Sequence, residues 1–559
     1  MTVLAAAHFH QALDPIGNIA ASTLLALVPV AFLLFLLAGL RMTAWLAVFL
    51  GSVATWLLAV FVWHAPVLDA SRAYAYGSAQ GVWSVDWITF WGVVIFYTLT
   101  YTGLFEKFQS WLISQATADV RIQTLLLAWA FGALLEGLVG FGYPWAVVAP
   151  ILIALGVVEL DAIRVAAIAN NAPVSFGALG APIIALAAVT HLDLLQLSAS
   201  VGRVVAILAI APPFVLIYLV SGWKGLRDGW PLAVVGTAAY VVGQYPTSQF
   251  LGPYLPDIIG SLICFGALLL FIRIWRPRTT LGYGGVEIDP HAVPAIAMRP
   301  IGGGSTPPGP PPRMPTREVL RAVAPFIILV VVVVFWTGPL PWSKEIKLAP
   351  FKIAVKAISS LPGATKPVSA QFTWTPYIAG TSIAFSWLLI VLWLRPGLAT
   401  LGQIFRKTFS QMWGALVVGV FIFGLAYDFN YSGMASTMAF GFSKVGVVFI
   451  VLAPILGWIG VALSGSNTST NTLFGFFQVA VGRLLGFPIL LLPSLNSVGA
   501  EVGKPIAPQT TSVGVSTTSY ARNEGAAIRH NLGWTLILLV YLIAIGCFYY
   551  FILPHAMVT

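Results

Sequence analysis

An acidic side chain within an apolar segment is the first feature of this sequence that could do chemistry. Glu136 lies in AFGALLEGLVGFG, after a run of apolar residues and with no cation close to it in sequence. A carboxylate at membrane depth is costly when it is ionised, so Glu136 must be protonated, paired or facing water. A glutamate beside a flexible, glycine-rich break suits proton coupling, whereas a protonated structural glutamate bonded to a neighbouring helix is the alternative.

A run of six uncharged polar side chains, SNTSTN at positions 466–471, is the second such feature. Its hydroxyl and amide groups can coordinate a small cation through oxygen atoms, or they can donate hydrogen bonds to a carboxylate at a helix N-terminus. A polar helix cap, or contacts between helices, would need fewer polar residues than this run contains. We therefore take as candidate binding residues Ser466, Asn467, Thr468, Ser469 and Asn471.

Two further polar clusters lie in otherwise apolar surroundings. Asn170 and Asn171 precede Pro173 in AIANNAPVSFGALGAP, and this proline forces the residues before it out of regular helix. Lys504 and Gln509 lie in the second cluster, LNSVGAEVGKPIAPQT. Both clusters therefore place amide or charged groups where the helical pattern is interrupted.

Lys504 is the candidate electropositive group for an anionic substrate. Glu501 lies in the same segment and could neutralise the lysine. A partnered charge pair in a loop outside the membrane is the alternative interpretation of these two residues. Only the tertiary structure can decide between these interpretations.

Patterns typical of catalytic and nucleotide-binding sites are absent from the sequence. It contains no G-x-S-x-G, no H-E-x-x-H, no Walker loop and no Cys/His spacing of a metal site. Without a nucleotide-binding loop, concentrative transport would draw on an ion gradient or on a partner. We therefore predict that the protein is not an enzyme and needs no cofactor or metal. A membrane-embedded enzyme, the alternative from another class, would need a catalytic set that is missing here.

The amino-acid composition excludes most soluble protein classes. The chain has 559 residues, of which 28 are Lys or Arg and 18 are Asp or Glu, so 8% are charged and 59% are hydrophobic. Soluble domains carry roughly 25% charged residues. A soluble multidomain enzyme, a nucleic-acid binder and a disordered scaffold are therefore ruled out.

Long apolar runs instead indicate an all-α polytopic membrane protein. Runs such as 19–40, 43–63, 199–220 and 532–553 are long enough to cross a hydrocarbon core of about 30 Å as helices. With the other apolar stretches, the sequence predicts roughly twelve to fourteen transmembrane helices. Broken helices are expected near 132–144 and 457–471, where glycines or polar residues interrupt the pattern, because broken helix at membrane depth must line protein or water.

The chain divides into two apolar halves around a Pro- and Gly-rich segment at 300–315. We predict an N-terminal transmembrane half at 1–275, a linker at 276–317 and a C-terminal transmembrane half at 318–559. Five arginines in the linker predict that it is cytoplasmic. The same topology places the Lys-rich stretch 344–366 outside, against the charge rule, so the location of this stretch is left open.

The two halves contain a weak internal repeat. FGALLEG at 131–137 aligns with IGVALSG at 459–465, an offset of 328 residues. At an offset of 326, a second block matches Asn170, Gly177, Ala181 and Pro182 with Asn496, Gly503, Ala507 and Pro508. Interrupted segments at matching places in two halves point to a transporter binding site.

Four sequence blocks resemble, in order and spacing, the signature blocks of the L-lactate permease family of bacterial membrane transporters. These blocks are LLEGLVGFGYPWAV, IANNAPVSFGALGAPI, GWIGVALSGSNTSTNTLFG and GKPIAPQ. The similarity covers both halves, from about residue 90 to residue 545. The sequence departs from the family at Tyr143, where threonine is usual, and at Asn467, where an acid is common.

The resemblance implies a plasma-membrane permease of the bacterial inner membrane that takes up L-lactate, D-lactate and glycolate by proton symport. A sodium-coupled permease for another short-chain carboxylate is the alternative. The resemblance also implies two inverted repeats with re-entrant hairpins, whose Ser-Asn-Thr motifs bind the substrate carboxylate and the coupling ion. The candidate site consists of Glu136, Gly140, Gly142, Tyr143, Asn170, Asn171, Ser466, Asn467, Thr468, Ser469, Asn471, Lys504 and Gln509. Expected partners are a small 2-hydroxycarboxylate, a co-transported proton or Na⁺ and the lipid bilayer, with no nucleic acid and with a homodimer left open.

Overall fold

The computed structural model describes residues 9–115, 117–140, 142–289, 315–337, 352–362, 368–374, 376–521 and 523–558. Two sequence predictions fall partly beyond these ranges. Residues 290–314 of the predicted linker lie outside the described residues, as do residues 344–351 and 363–366 of the Lys-rich stretch. The division into two halves and a linker therefore stays a prediction.

The described residues before the linker fold almost entirely into helices. The α-helices are α1 (Ile19–Leu34), α2 (Ala44–Phe61), α3 (Val67–Gly81), α4 (Trp87–Tyr101), α5 (Leu104–Gln115), α6 (Val120–Gln123), α7 (Gly132–Leu138), α8 (Tyr143–Ala154), α9 (Glu159–Ala169), α10 (Gly177–Thr190), α11 (Leu194–Leu208), α12 (Ala211–Phe250) and α13 (Pro256–Ile274). Segments of π-helix at Phe35–Gly39, Val82–Asp86 and Thr124–Phe131 extend or join several of them.

The second half continues this helical architecture. Its α-helices are α14 (Thr316–Thr337), α15 (Ala379–Leu394), α16 (Leu398–Ser432), α17 (Met434–Ser443), α18 (Phe449–Ser464), α19 (Asn467–Leu485), α20 (Leu491–Gly503), α21 (Pro508–Val515) and α22 (Glu524–Phe551). Short 3₁₀ turns occupy Val174–Phe176, Tyr283–Gly285, Gly446–Val448, Lys504–Ile506 and Pro554–Met557.

The prediction of a polytopic helical membrane protein with broken helices is confirmed. Among the described residues, ten helices are long and apolar enough to cross a membrane, or eleven if one bent pair counts as a span. The sequence predicts twelve to fourteen because it counts apolar runs, not continuous helices. Leu194–Phe250 is a single stretch of 57 residues that contains α11 and α12, while α8 and α15 are apolar but shorter than the other spans.

A small β-sheet is an element that the all-α prediction does not include. Strand β1 (Phe9–His10) pairs in parallel with β2 (Lys352–Ile358), and β2 pairs antiparallel with β3 (Val368–Thr373). Residues alternate along β2, with Val355 and Ala357 buried and Lys356 exposed. This alternation of polar and apolar residues is a strand signal within the Lys-rich stretch.

Among the described residues, four of the helix breaks concern the candidate site. They separate α7 from α8, α9 from α10, α18 from α19 and α20 from α21. The second break is a bend of 67° between Glu159–Ala169 and the segment Val174–Thr190. Because α10 packs against α19 and α8 against α21, breaks from both parts of the chain meet.

The internal repeat has a counterpart in two of these breaks. Pro508 opens α21, and Pro182 lies directly after residues 178–180 of α10, whose backbone is left-handed. The two prolines, which the 326-residue offset matches, thus begin regular helix after a break. Asn170 caps the end of α9, whereas its match Asn496 lies inside α20. The inverted relation of the two halves stays a prediction.

Candidate functional site

A buried ion pair lies where the breaks meet. The ammonium Nζ of Lys504 is 2.5 Å from Oε1 of Glu136, and the two residues are only 5% and 2% exposed. Asn170 Nδ2 donates a hydrogen bond of 2.9 Å to the other carboxylate oxygen of Glu136. The sequence allows Glu136 to be protonated, paired or facing water, and in the structure it is paired. The partner is 368 positions away in the chain.

The structure corrects the partner that the sequence suggests for Lys504. Glu501 does not neutralise this lysine; its Oε1 atom accepts a hydrogen bond of 3.0 Å from the backbone N–H of Ser175. Lys504 begins a 3₁₀ turn after α20, and from there its side chain reaches Glu136 on α7. Both Glu501 and Lys504 are buried, so a solvent-exposed loop pair does not fit.

A chain of hydrogen bonds connects the polar run of α19 to the break between α9 and α10. Asn467 Nδ2 donates to Ser175 Oγ over 3.3 Å, and Ser175 Oγ is 2.8 Å from Ser497 Oγ. Asn471 Nδ2 donates to Ser497 Oγ over 2.9 Å and to the carbonyl of Pro182 over 3.0 Å. Asn467 therefore reaches the 3₁₀ turn before α10, and Asn471 reaches α10 and α20.

The other side chains of the polar run serve mainly their own helix. Ser466 is the N-cap of α19, and its Oγ accepts a hydrogen bond from the backbone N–H of Ser469. Thr470 donates to the carbonyl of Ser466 one turn earlier, and Thr472, directly after the run, donates in the same way to Thr468. Thr468 is half-buried. The helix-cap alternative thus accounts for Ser466 but not for the asparagines.

Two glycines with positive φ allow the breaks to pack closely on α21. Gly142 has a φ of +80°, and an added Cβ would lie 3.0 Å from Cγ2 of Thr510. Gly465 has a φ of +74°, and its added Cβ would lie 2.7 Å from Cβ of Gln509. Thr510 Oγ1 also donates a hydrogen bond of 3.0 Å to the carbonyl of Gly465. The start of α21 thus touches one break from each part of the chain, although Gln509 itself is exposed.

Tyr143 and Gly140 border the first break. Gly140 lies beside Ala178, with its added Cβ 3.7 Å from Oε1 of Glu136. The phenol oxygen of Tyr143 is 2.7 Å from that of Tyr97 on α4. Both candidates therefore lie at this break, but only Gly140 approaches the ion pair closely.

Several buried polar atoms at the site have no hydrogen-bond partner among the described residues. They are Asn170 Oδ1, Asn467 Oδ1, Glu501 Oε2 and both side-chain polar atoms of Asn171. Buried polar groups are nearly always hydrogen-bonded, so each such atom requires an explanation. A polar ligand bound at this position would supply the missing partners.

Three functional candidates escape sequence reasoning. Ser175 and Ser497 are ordinary serines in apolar segments, and only the tertiary structure shows that they bridge the clusters. Asp257 is buried beside Gly137 at the start of α13, and Tyr240 donates to its Oδ1 over 2.9 Å. An acid in the first turn of a helix is typical of a cap, so the position of Asp257 alone gives no functional signal.

Metal-binding clusters were also sought in the described part of the chain. No group of three or more His, Cys, Asp or Glu side chains there could hold a metal ion. The polar groups of the site are instead a lysine, buried carboxyls, amides and hydroxyls. Such a set can bind a small anion and exchange a proton.

Comparison with known proteins identifies relatives along nearly the whole chain. A sequence model of the family described as L-lactate permease matches residues 22–554. The glycolate permease GlcA of Escherichia coli K12 is 34% identical over 537 residues, which cover 94% of each protein. The L-lactate permeases of Escherichia coli K12 and Bacillus subtilis 168 are each 31% identical, covering 95% of this chain and 96% of their own.

One solved structure also aligns with the chain. The YdaH transporter of Alcanivorax borkumensis, whose crystal structure is described as having an unusual topology, aligns with a TM-score of 0.41 and 16% identity. The alignment covers 84% of this chain and 86% of that protein.

Proposed function

Because the chain belongs to the L-lactate permease family, we propose that it carries L-lactate, D-lactate and glycolate across the membrane by proton symport. The protein is a multi-pass transporter of the bacterial inner membrane and not an enzyme, as its helices and its relatives establish. The substrates and the coupling ion are the parts of this function that we infer.

The buried pair of Lys504 and Glu136 is the observation that carries the proposal. A lysine offers a compact positive charge with three donors, which suits a carboxylate. We infer that the substrate carboxylate takes the place of Glu136 as the partner of Lys504. Amide groups such as that of Asn170, which already binds a carboxylate oxygen, would help to hold it.

Proton coupling follows from the charge that this exchange releases. Once Lys504 binds the substrate, the carboxylate of Glu136 lies uncompensated in a buried site, which is costly unless it takes up a proton. One proton would then accompany each monoanion. Asp257 and Glu501 support this scheme, because they add two buried carboxyls near a single buried ammonium.

The broken helices provide the means of movement. The two members of the ion pair lie on α7 and directly after α20, at breaks from different parts of the chain. Transporters built in this way bind substrate at such breaks and expose the site to each side in turn. We infer that exchange of partners at Lys504 accompanies this change.

Sodium coupling is the alternative, and one observation favours it. Oδ1 of Asn467 and Oε2 of Glu501 are buried oxygens without a hydrogen-bond partner among the described residues. Oxygen atoms of this kind are possible ligands for a small hard cation. Replacement of Na⁺ by choline separates the two mechanisms.

Uptake of labelled L-lactate into proteoliposomes tests the proposed function. We expect uptake that is competed by D-lactate and glycolate but not by citrate, and that is unchanged when choline replaces Na⁺. Lys504→Ala is expected to abolish uptake, whereas Lys444→Ala, which removes an exposed lysine, is the matched control and should retain it. Lack of lactate uptake by the wild-type protein would refute the proposed substrates, and loss in choline would refute proton coupling.

A further inference from the structure

Glu501 is a buried acid to which the ion-pair scheme assigns no specific contact. It lies inside α20, three residues before Lys504, and is completely buried. Its Oε1 atom accepts the backbone N–H of Ser175, while its Oε2 atom has no hydrogen-bond partner among the described residues. One carboxyl oxygen is thus fixed by the protein, and the other is available to a ligand.

Among the described residues, Asn467 provides a second unpartnered oxygen and shares the partner Ser175 with Glu501. Asn467 donates its amide N–H to Ser175 Oγ, and its Oδ1 atom has no partner among the described residues. Ser175 therefore binds both Glu501 and Asn467, through its backbone and its side chain. An amide oxygen can only accept, whereas Glu501 Oε2 accepts when the carboxyl is ionised and donates when it is protonated. A hydroxyl group can both donate and accept, so it fits either state.

The position of Glu501 relative to Lys504 limits the size of that ligand. Side chains three residues apart on a helical turn have Cβ atoms about 5–6 Å apart. A lysine binds a carboxylate, and a carboxyl group one turn away binds a hydroxyl attached close to that carboxylate. In a 2-hydroxycarboxylate these two groups are on neighbouring carbon atoms.

We propose that Glu501, held by Ser175 and assisted by Asn467, recognises the 2-hydroxyl group of the transported acid. This inference rests on the proposed function and assigns the part of the substrate that distinguishes lactate from propionate and glycolate from acetate. The hydroxyl forms a hydrogen bond with Glu501 Oε2 while the carboxylate binds Lys504.

Strong discrimination between hydroxylated and plain acids follows from this arrangement. An acid without the hydroxyl leaves a buried polar group unpaired, which costs far more than the loss of an apolar contact. Sites built to bind a substrate hydroxyl reject the analogue that lacks it by factors of about 10⁴–10⁵. We expect lactate to be preferred over propionate by at least roughly 100-fold in kcat/KM.

The test compares kcat/KM for lactate and propionate in proteoliposomes of the wild-type protein and of Glu501→Met. In the variant, the preference for lactate is expected to fall to within about tenfold, because the carboxyl group is gone. Transport of propionate should persist, which shows that the variant is folded. Asp428→Asn, which alters a buried acid on α16, is the matched control and should keep the wild-type preference.

The possible results separate this inference from the proposed function. Equal transport of lactate and propionate by the wild-type protein, or an unchanged preference in Glu501→Met, overturns the hydroxyl subsite while leaving lactate transport intact. Lack of lactate transport in the wild type overturns the proposed function itself. If Glu501→Met transports neither acid, Asn467→Leu decides: it removes the second oxygen of the subsite, and a preference reduced at least about tenfold supports the subsite, whereas an unchanged one refutes it.

Discussion

Burial of a glutamate and a lysine as an ion pair costs free energy. Removal of two charges from water costs several kcal/mol per ion, and the attraction between them only partly offsets that cost. Hydrophobic residues of similar size would often stabilise such a position equally well. We therefore infer that Glu136 and Lys504 are kept as a pair because they exchange partners, with a proton replacing Lys504 and the substrate replacing Glu136.

Substitution of each member of this pair separates its role in folding from its role in transport. Lys504→Met leaves the carboxylate of Glu136 unpaired and is expected to destabilise the protein by about 3–5 kcal/mol. The double variant Glu136→Gln with Lys504→Met should recover most of that stability but transport no lactate. Thermal unfolding in detergent and uptake in proteoliposomes measure the two effects. Lactate uptake by the double variant would exclude the pair from substrate binding.

The individual site residues could be found from the sequence to different degrees. Glu136 and Lys504 are visible because a charge in an apolar segment is costly and therefore functional or partnered. Their pairing is not visible, since nothing in either segment specifies a neighbour 368 positions away. Ser175 cannot be recognised from the sequence for a related reason. Burial of a serine costs little free energy, so only its contacts to Glu501 and Asn467 indicate a role.

At the scale of elements, the site depends on close approach of helix breaks. Gly177 begins the segment that carries α10, directly against the carboxylate of α7. A Cβ added at Gly177 would lie 2.6 Å from Oε1 of Glu136, closer than atoms can pack. The absence of a side chain at this glycine therefore leaves room for the carboxylate of Glu136 at its observed position.

Gly177→Ala tests this role of the break. The added methyl group should displace the Glu136 carboxylate from Lys504 and reduce lactate uptake at least about tenfold, since small misplacements at a site are costly. Gly402→Ala on α16 is the matched control, because its added methyl group meets no atom within 4 Å. The control should be neutral or slightly stabilising, as alanine favours helix. Equal uptake by both variants would show that Gly177 does not position Glu136.

Most elements could be predicted from the sequence, and the failures have physical causes. Helices follow from apolar length, and the breaks follow from glycine, proline and the polar run. The predicted number of spans is higher than the observed one, because the prediction counts separate apolar runs. Residues 194–250 instead form one stretch that contains two helices. Strand β2 lies in the Lys-rich stretch. Its short alternation of polar and apolar residues is a weaker pattern than the long apolar runs of the helices.

At the scale of the whole molecule, the small number of buried basic residues bears on which substrates we expect the protein to transport. Lys504 and Arg121 are the fully buried basic residues of the described part of the chain. Arg121 is already paired with Asp119 at 2.7 Å and Asp228 at 3.0 Å. In that part of the chain, Lys504 has one carboxylate partner, Glu136, so under the proposed exchange the site offers a single cation, and we expect it to suit a monoanion such as lactate better than citrate.

The two halves of the chain contribute jointly to this site. Glu136, Asn170 and Ser175 come from before the linker, and Lys504 and Asn467 come from after it. Movement of one half relative to the other would therefore change the ion pair directly. The predicted boundaries at 275 and 317 define the two halves for which such movement can be measured.

The central claim is that a substrate carboxylate and a proton cross together because they exchange at the pair of Glu136 and Lys504. Its most direct test is the pH inside sodium-free proteoliposomes, recorded with a trapped dye while an inward lactate gradient is imposed. We predict acidification of the lumen, beyond that of protein-free vesicles, which is lost in Glu136→Gln. Lactate entry without this acidification, or full acidification in Glu136→Gln, would contradict the claim.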